Sequence, residues 1–361
     1  NYNPRIDTKP TLEDFKKTIS DYLAWDISQL LKQKGETDVL ISSSQWDLEL
    51  PFEVKYRFHG LGFVFGKNGG IDFTKTYLAL DTAKLLNEIK SIPIQEYDII
   101  ISDFEPISCW AAKLNNKVCI GLSNQAATLH PLAPKPKKSD PLGKAVLNHY
   151  APVTHSYGFH FKSFDSSIST PIIRKEIRNA IPSNKGHITV YLPSYDDKRI
   201  IEKLKHFRDI EFQVFSKHIR KEYKKSNFLV KPLTNSAFIE SLASSNGVIT
   251  NAGFGTTSEA LFLGKKLIVI PMKNQFEQHC NAAVLKSMGV TVIKSFKKKH
   301  LPEIKQWVKH GRSIVVNYID NTEKIIDTII EKHLNEKVIA KTTKKEMNFF
   351  EKIMSLKIAE N

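Results

Sequence analysis

Apolar runs of strand length alternate with helical patterns along most of the chain. In the first half TDVLISSS (37–44), YDIIISDFEP (97–106) and KVCIGLSNQ (117–125) each end in polar loop residues, as strands buried in a sheet do. Between the second and third lies ISCWAAKLNN (107–116), a helical pattern of crossover length, so strand, helix and strand predict a parallel unit. Residues 126–140, AATLHPLAPKPKKSD, turn to proline and lysine, which is loop chemistry. The alternation resumes with HITVYLPS (187–194), DDKRIIEKLKHF (196–207), IEFQVFS (210–216), NFLVKPLT (227–234) and NSAFIESLASS (235–245). Then NGVITNAGFGTTSEALFLGKKLIVIP (246–271) packs an apolar run, a glycine turn, a helix and a second apolar run into one stretch.

Each half thus reads as its own α/β sheet. The alternation breaks in DSSISTPIIRKEIRNAIPSNKG, which predicts one domain over 1–165, a linker over 166–184 and a second domain over 185–335. Residues 336–361 read as a lysine-rich helical tail in which Met347, Phe350, Ile353 and Leu356 recur at steps of three, a face suited to docking on the body.

The length of 361 residues agrees with two domains. Composition is that of a soluble globular protein, with 41% hydrophobic and 25% charged residues, and no segment has the length and apolarity of a membrane span. Cys109, Cys119 and Cys280 show no paired metal spacing; Cys109 and Cys119, in or beside apolar runs, read as buried free thiols in a reducing cytoplasm, and no charged-then-apolar leader opens the chain. The net charge of +15 comes from lysines spread along the chain. No zinc finger, aromatic RNA-binding signature or arginine-rich helix accompanies them, so nucleic acid is not an expected partner.

The candidate chemistry starts at the glycine turn. The apolar run ends near Asn251, Gly253 and Gly255 permit positive φ or a close backbone approach, Thr256 and Thr257 open a helix, and Gly264 stops it. Unpaired backbone N–H groups and the positive end of a helix dipole then stand at a sheet's carboxyl edge, which is a phosphate seat. Glu259 falls one turn into the helix, where a carboxylate accepts hydrogen bonds from a ribose diol. After the next strand, Glu277, Gln278 and Asn281 stand at a second sheet edge and offer the mixed donors and acceptors that sugar hydroxyls require.

These residues carry a resemblance. TNAGFGTTSEALFLGKKLIVIPMKNQFEQHCNA (250–282) resembles the donor-binding region of GT-B glycosyltransferases, the branch holding plant UDP-glucosyltransferases and the bacterial peptidoglycan N-acetylglucosaminyltransferase. SDFEPISCWAAKLNNKVCIGLSNQAATLHP (102–131) reads like an uncharacterised bacterial and archaeal branch of the same superfamily. The resemblance implies an α/β GT-B fold, two Rossmann-like doubly wound domains facing across a cleft. It also implies that Gly253, Phe254, Gly255 and Thr256 hold a diphosphate, Glu259 a ribose, and Glu277 and Gln278 the transferred sugar. Ser194 matches a position facing the donor phosphates, although the glycines expected beside it are replaced by LPSYDDK, and Thr234 would meet the base through its backbone. The implied activity is inverting, metal-independent transfer of a hexose or N-acetylhexosamine from a nucleotide sugar, with UDP as the implied nucleotide and no cofactor. The helix end neutralises the leaving diphosphate, and no Asp-x-Asp motif sits in a suitable loop.

The acceptor side departs from the family. Residues 1–35 hold no histidine and no glycine before Gly35, and no first strand is evident, which would leave neighbouring strand edges bare. Asp103 and Glu105, after a strand end facing the cleft, are the candidate catalytic carboxylates; Asp103 also suits a helix N-cap. His130 and His155 are weaker candidates. His149, His155 and His160 have no zinc spacing among themselves. Asn124 and Gln125 are placed to meet acceptor hydroxyls, and GLGFVFGKNGGIDF (60–73) reads as an acceptor loop or a hairpin. Lys135, Lys137, Lys138 and Lys144 crowd a loop with Leu132 and Leu142, chemistry suited to an anionic membrane surface and a lipid-linked acceptor on its cytoplasmic face. Two alternatives stay open: a nucleotide-sugar-binding protein without turnover, and a nucleotide-sugar 2-epimerase, which a histidine and carboxylate pair facing the sugar would favour.

Overall fold

The computed structural model describes residues 19–43, 53–61, 81–138 and 140–336. The N-terminal segment, most of the 60–73 stretch and the 336–361 tail beyond its first residue lie outside them.

In the first half, β1 (Leu40–Ser42) pairs in parallel with β2 (Tyr56–Phe58). A second, four-stranded parallel sheet runs β3 (Ile100–Ser102), β4 (Cys119–Ser123), β5 (His155–Phe159) and β6 (Ile168–Ser169). All five residues of β4 are buried, which is why KVCIGLSNQ reads as a continuous run rather than an alternation. Among the described residues β1 and β3 are not paired to each other. A slot of about 450 Å³ separates them, lined from both sides by Leu40, Ile41, Ile99 and Ile101. Among the described residues no strand fills this slot, and the expected first strand falls in no described element.

The second half forms a seven-stranded sheet. Its strands are β7 (Ile188–Tyr191), β8 (Phe212–Ser216), β9 (Tyr223–Lys225), β10 (Phe228–Pro232), β11 (Gly247–Thr250), β12 (Lys266–Val269) and β13 (Thr291–Val292). Their spatial order is β13, β12, β11, β7, β8, β10, β9. All neighbours are parallel except β9, which closes one edge as an antiparallel hairpin with β10. Without that hairpin the order is 3-2-1-4-5-6, the doubly wound arrangement that opens a ligand crevice where the winding reverses. That point lies between β7 and β11, whose carboxyl ends lead to Ser194 and Gly253.

Helix starts follow capping chemistry: Asp81, Ser123, Asp140 and Asp196 each accept a backbone N–H of the helix they open. Val190, Phe212, Val214, Phe228, Ile249 and Ile268 make one face of the second core, and Val248, Val269, Leu261, Val284 and Leu285 the other. Each such buried side chain contributes about 1.5–3 kcal/mol of transfer free energy.

The sequence-derived linker is not a free tether. Ile168 and Ser169 pair with β5, while Ile173 and Ile177 enter the second core. The helix Thr322–His333, counted above with the second domain, lies against the first: Ile326 and Ile329 pack with Val118, Ile120, Leu122 and Phe159. Lys34 and Asp327 add an ion pair. Cys109 and Cys119 are buried free thiols, as expected, and Cys280 is one as well.

Candidate active site

A cleft of about 340 Å³ opens between the two sheets, at the carboxyl ends of both sets of strands. Asp103, Ser123, Asn124, Gln125 and Phe159 line it from the first domain. Tyr191, Lys217, Thr234, Asn235, Gly253, Phe254, Gly255, Thr256 and Glu277 line it from the second.

The glycine turn builds the second wall. β11 is buried throughout and ends at Thr250. Asn251 then donates to the Ile270 carbonyl at 2.7 Å, and Asn281 to the Ala252 carbonyl at 3.1 Å, so two buried amides fasten the turn to its neighbours. The helix Phe254–Phe262 starts with Gly253 as N-cap, φ −72° and ψ 145°, and no side chain caps it. Its first N–H groups are thus free of side-chain acceptors and face the cleft, as an anion seat requires. The helix opens at Phe254, two residues before the expected start, and Gly253 does not use positive φ. What the glycine supplies is room: a Cβ there would meet only Gln278 Nε2, at 4.0 Å. Gly264 does have positive φ, 65°, and ends the helix as expected.

Several expected donor-side residues serve this scaffold. Gln278 accepts from the Met272 N–H at 2.9 Å and Asn281 is fully buried. Among the described residues the Ser194 hydroxyl reaches Asn251 alone, at 3.4 Å, and Ser194 does not line the cleft. Glu259 is 3% exposed, and both its oxygens accept from Arg174, Nε at 2.5 Å and Nη2 at 3.2 Å. Arg174 also donates to Asn235 Oδ1 at 2.5 Å, tying the interdomain crossing to the second wall. Thr234 does line the cleft, with Leu233, Phe238 and Tyr191 beside it. Tyr191 and Phe238 pack edge to face at 5.4 Å, an aromatic pair on the cleft wall. Sequence reasoning missed Tyr191, Lys217 and Asn235. Lys217 follows β8 directly, and a lysine just past the carboxyl end of a strand was the available signal.

On the first wall the two carboxylates part company. Glu105 caps the helix Pro106–Leu114: its oxygens accept from Ile107 N, Ser108 N, Ser108 Oγ and Ser42 Oγ at 2.6–2.8 Å. The capping role expected of Asp103 belongs to Glu105, and Glu105 does not line the cleft. Asp103 has no hydrogen-bond or salt-bridge partner among the described residues. It projects because Phe104 takes left-handed φ, 56°, a conformation costing a non-glycine residue roughly 1–2 kcal/mol. Phe104 is held there by stacking on Tyr150 at 5.0 Å. Although the Asp103 carboxylate is open to cleft water, the surrounding walls desolvate it and raise its pKa to about 6.

Glu277 faces Asp103 from the opposite domain. It accepts from Gln125 across the cleft at 3.3 Å and from Asn281 at 3.4 Å. Burial lifts its pKa to about 7; the Asp103 charge adds to the rise, and the bonds from Gln125 and Asn281 oppose it. Asn124 donates to the Phe159 carbonyl at 2.9 Å, and its Oδ1 has no protein partner. His160 is buried, accepts from Phe161 N at 2.9 Å and has its pKa lowered to about 4 by desolvation and Lys135. His130 pairs with Asp165 at 2.9 Å. No histidine lines the cleft among the described residues.

In the basic loop, Lys135 is turned inward onto the Thr128 and His130 carbonyls, at 2.6 and 2.7 Å. Lys137 and Lys138 are exposed, and so is Leu132, at 62%; Lys144, expected in the same loop, is exposed on the helix Pro141–His149, which Asp140 caps. No helix among the described residues is long and apolar enough to cross a membrane.

A family model described as "Glycosyl transferase family 1" matches residues 31–310. No curated protein sequence matches the chain. Among solved structures, the glycotransferase of kitacinnamycin is 13% identical, with a TM-score of 0.52 over 90% of this chain and 93% of that one. A UDP-glucosyltransferase from Polygonum tinctorium, in a complex with 3,4-dichloroaniline, is also 13% identical, with a TM-score of 0.52 over 94% and 96%. At that identity the likeness is one of fold, and the fold is GT-B, with two Rossmann-like domains.

Proposed function

Starting from the premise that this chain belongs to glycosyl transferase family 1 and is a glycosyltransferase, we propose that its interdomain cleft takes a UDP-sugar and passes the sugar to an acceptor with inversion, without a divalent metal. One observation carries the reading: Asp103, unpartnered and held out by a strained turn, shares a single cleft with the uncapped helix N-terminus at Gly253–Thr256.

In this reading the diphosphate sits on the N–H groups of Phe254, Gly255 and Thr256, with Lys217 as counter-charge and the base against Tyr191 and Leu233. Asp103 takes the proton of the acceptor hydroxyl as that oxygen attacks the anomeric carbon. The bond to the diphosphate breaks on the opposite face, and the departing charge is received by the helix end. With a pKa of about 6, Asp103 is ionised at neutral pH yet more basic than an ordinary aspartate. Glu277 and Gln278 hold the transferred hexose or N-acetylhexosamine, and Gln125 and Asn124 meet the acceptor. Glu259 contributes by fixing Arg174, and through it Asn235, instead of reading a ribose directly.

The exposed Lys137, Lys138, Lys144 and Leu132 beside the cleft favour an acceptor held at an anionic membrane surface. A 2-epimerase is disfavoured because no histidine faces the cleft among the described residues, and a turnover-less binding protein because Asp103 stands ready as a base. Calorimetric titration of UDP, UDP-glucose, UDP-N-acetylglucosamine and GDP in EDTA tests the reading: saturable binding of uridine nucleotides at one site per chain supports it, and no binding of any nucleotide removes it.

A further inference from the structure

Away from the cleft, we propose that His155, His333 and Glu336 form a binding site for one divalent zinc-type cation, which fastens the helix Thr322–His333 to β5. The three offer ligand atoms that all lie within 4.8 Å of one another. His155 Nε2 lies 2.9 Å from Glu336 Oε1, and His333 Nδ1 lies 2.6 Å from Glu336 Oε2. The two imidazoles stack with centroids 4.2 Å apart, so both nitrogens converge on one carboxylate from the same side.

Tetrahedral zinc, with nitrogen and oxygen ligands at about 2.0–2.2 Å, separates ligand atoms by roughly 3.4 Å. Small side-chain shifts from the present contacts open that space. Two imidazoles and a carboxylate are a borderline-soft set that favours zinc over calcium or magnesium. A second feature supports the assignment. Tyr157 Oη lies 2.9 Å from His333 Nε2, so the ring proton of a metal-bound His333 has an acceptor ready, the outer-shell support that metal-ligating histidines use. His155 then carries its ring proton on Nδ1, and a water completes the coordination.

The site is separate from the transfer chemistry. His155 begins β5 and Phe159, at the other end, lines the cleft; four strand residues span about 13 Å. A cation here would hold the C-terminal helix on the first domain, where Ile326 and Ile329 are already packed. Histidine spacing could not reveal it, because the partners of His155 lie 178 and 181 residues further along the chain.

The test is titration of zinc alone into untagged, EDTA-treated full chain, with the melting temperature followed in parallel. One saturable site per chain and a zinc-dependent rise in melting temperature are expected. Glu336→Gln and His155→Gln, which alter side chains about one-third exposed, should each weaken zinc binding at least about 100-fold, and Tyr157→Phe about 10-fold. Absence of a saturable site, or zinc binding unchanged in both ligand variants, would overturn the assignment. Circular dichroism of metal-free variants guards against misfolding. Nucleotide binding is a separate readout, so failure here leaves the donor-site reading standing.

Discussion

Gly253→Asp separates the proposed anion seat from the fold around it. Gly253 is the N-cap of the Phe254–Phe262 helix, at φ −72° and ψ 145°, angles that any L-residue adopts. A Cβ there meets nothing nearer than Gln278 Nε2, at 4.0 Å. Aspartate ranks among the best N-cap residues, so the variant should fold and gain a few tenths of a kcal/mol by capping N–H groups that now have no side-chain acceptor. The same carboxylate would stand where the diphosphate is proposed to bind. Unit charges about 4 Å apart near a protein surface repel by about 4 kcal/mol. Even if solvent halves that figure, UDP affinity should fall by at least about 30-fold at roughly 1.4 kcal/mol per decade, with a further loss from the donors the carboxylate occupies. Equilibrium UDP binding and thermal unfolding, measured on the same preparation, supply the two readouts. A variant that melts at or above the parent temperature and binds UDP undiminished would refute the placement of the diphosphate.

Three further predictions concern single carboxylates. Asp103→Asn should lower turnover by about 10²–10⁴-fold with donor affinity retained; in the parent, kcat/KM should rise with pH through about 6 as Asp103 ionises, and the variant should lose that limb. Glu277→Gln should stabilise the free protein. The folded pKa is raised from 4.5 to about 7, so the folded chain holds a proton that the unfolded chain gives up; the cost is absent below 4.5, grows as pH rises to about 7 and persists above. At about 1.4 kcal/mol per pH unit its ceiling is on the order of 3 kcal/mol, so denaturant unfolding of parent and variant should diverge with rising pH, and parallel curves would disprove it. Glu105→Ala should cost about 1–2 kcal/mol in urea unfolding by uncapping Pro106–Leu114, while leaving UDP binding intact.

The second sheet was legible because strands buried on both faces are continuous apolar runs, and β7, β8, β10, β11 and β12 all fall on such runs. β5 was not, because HSYGF mixes polar and small residues and draws its burial from β4 and the returning C-terminal helix. The hairpin strand β9 and the short β13 carry too few apolar residues to stand out. The glycine turn was readable as a local pattern, whereas its long-range partners were not: Arg174 lies 85 residues from Glu259, and nothing near Glu259 announces a guanidinium. The cap fell to Glu105 and not to Asp103 for a local reason. Capping preference favours aspartate, but left-handed Phe104 moves the helix start so that Glu105 reaches Ile107 and Ser108.

The central claim, sugar transfer by inversion in this cleft without a metal, is met most directly by proton NMR of UDP-glucose and UDP-N-acetylglucosamine incubated with the protein in EDTA, with water as the surrogate acceptor. The account predicts slow release of UDP together with the β-anomer of one sugar before mutarotation, diminished in Asp103→Asn. Initial release of the α-anomer, or turnover that appears only when a divalent cation is restored, would contradict it.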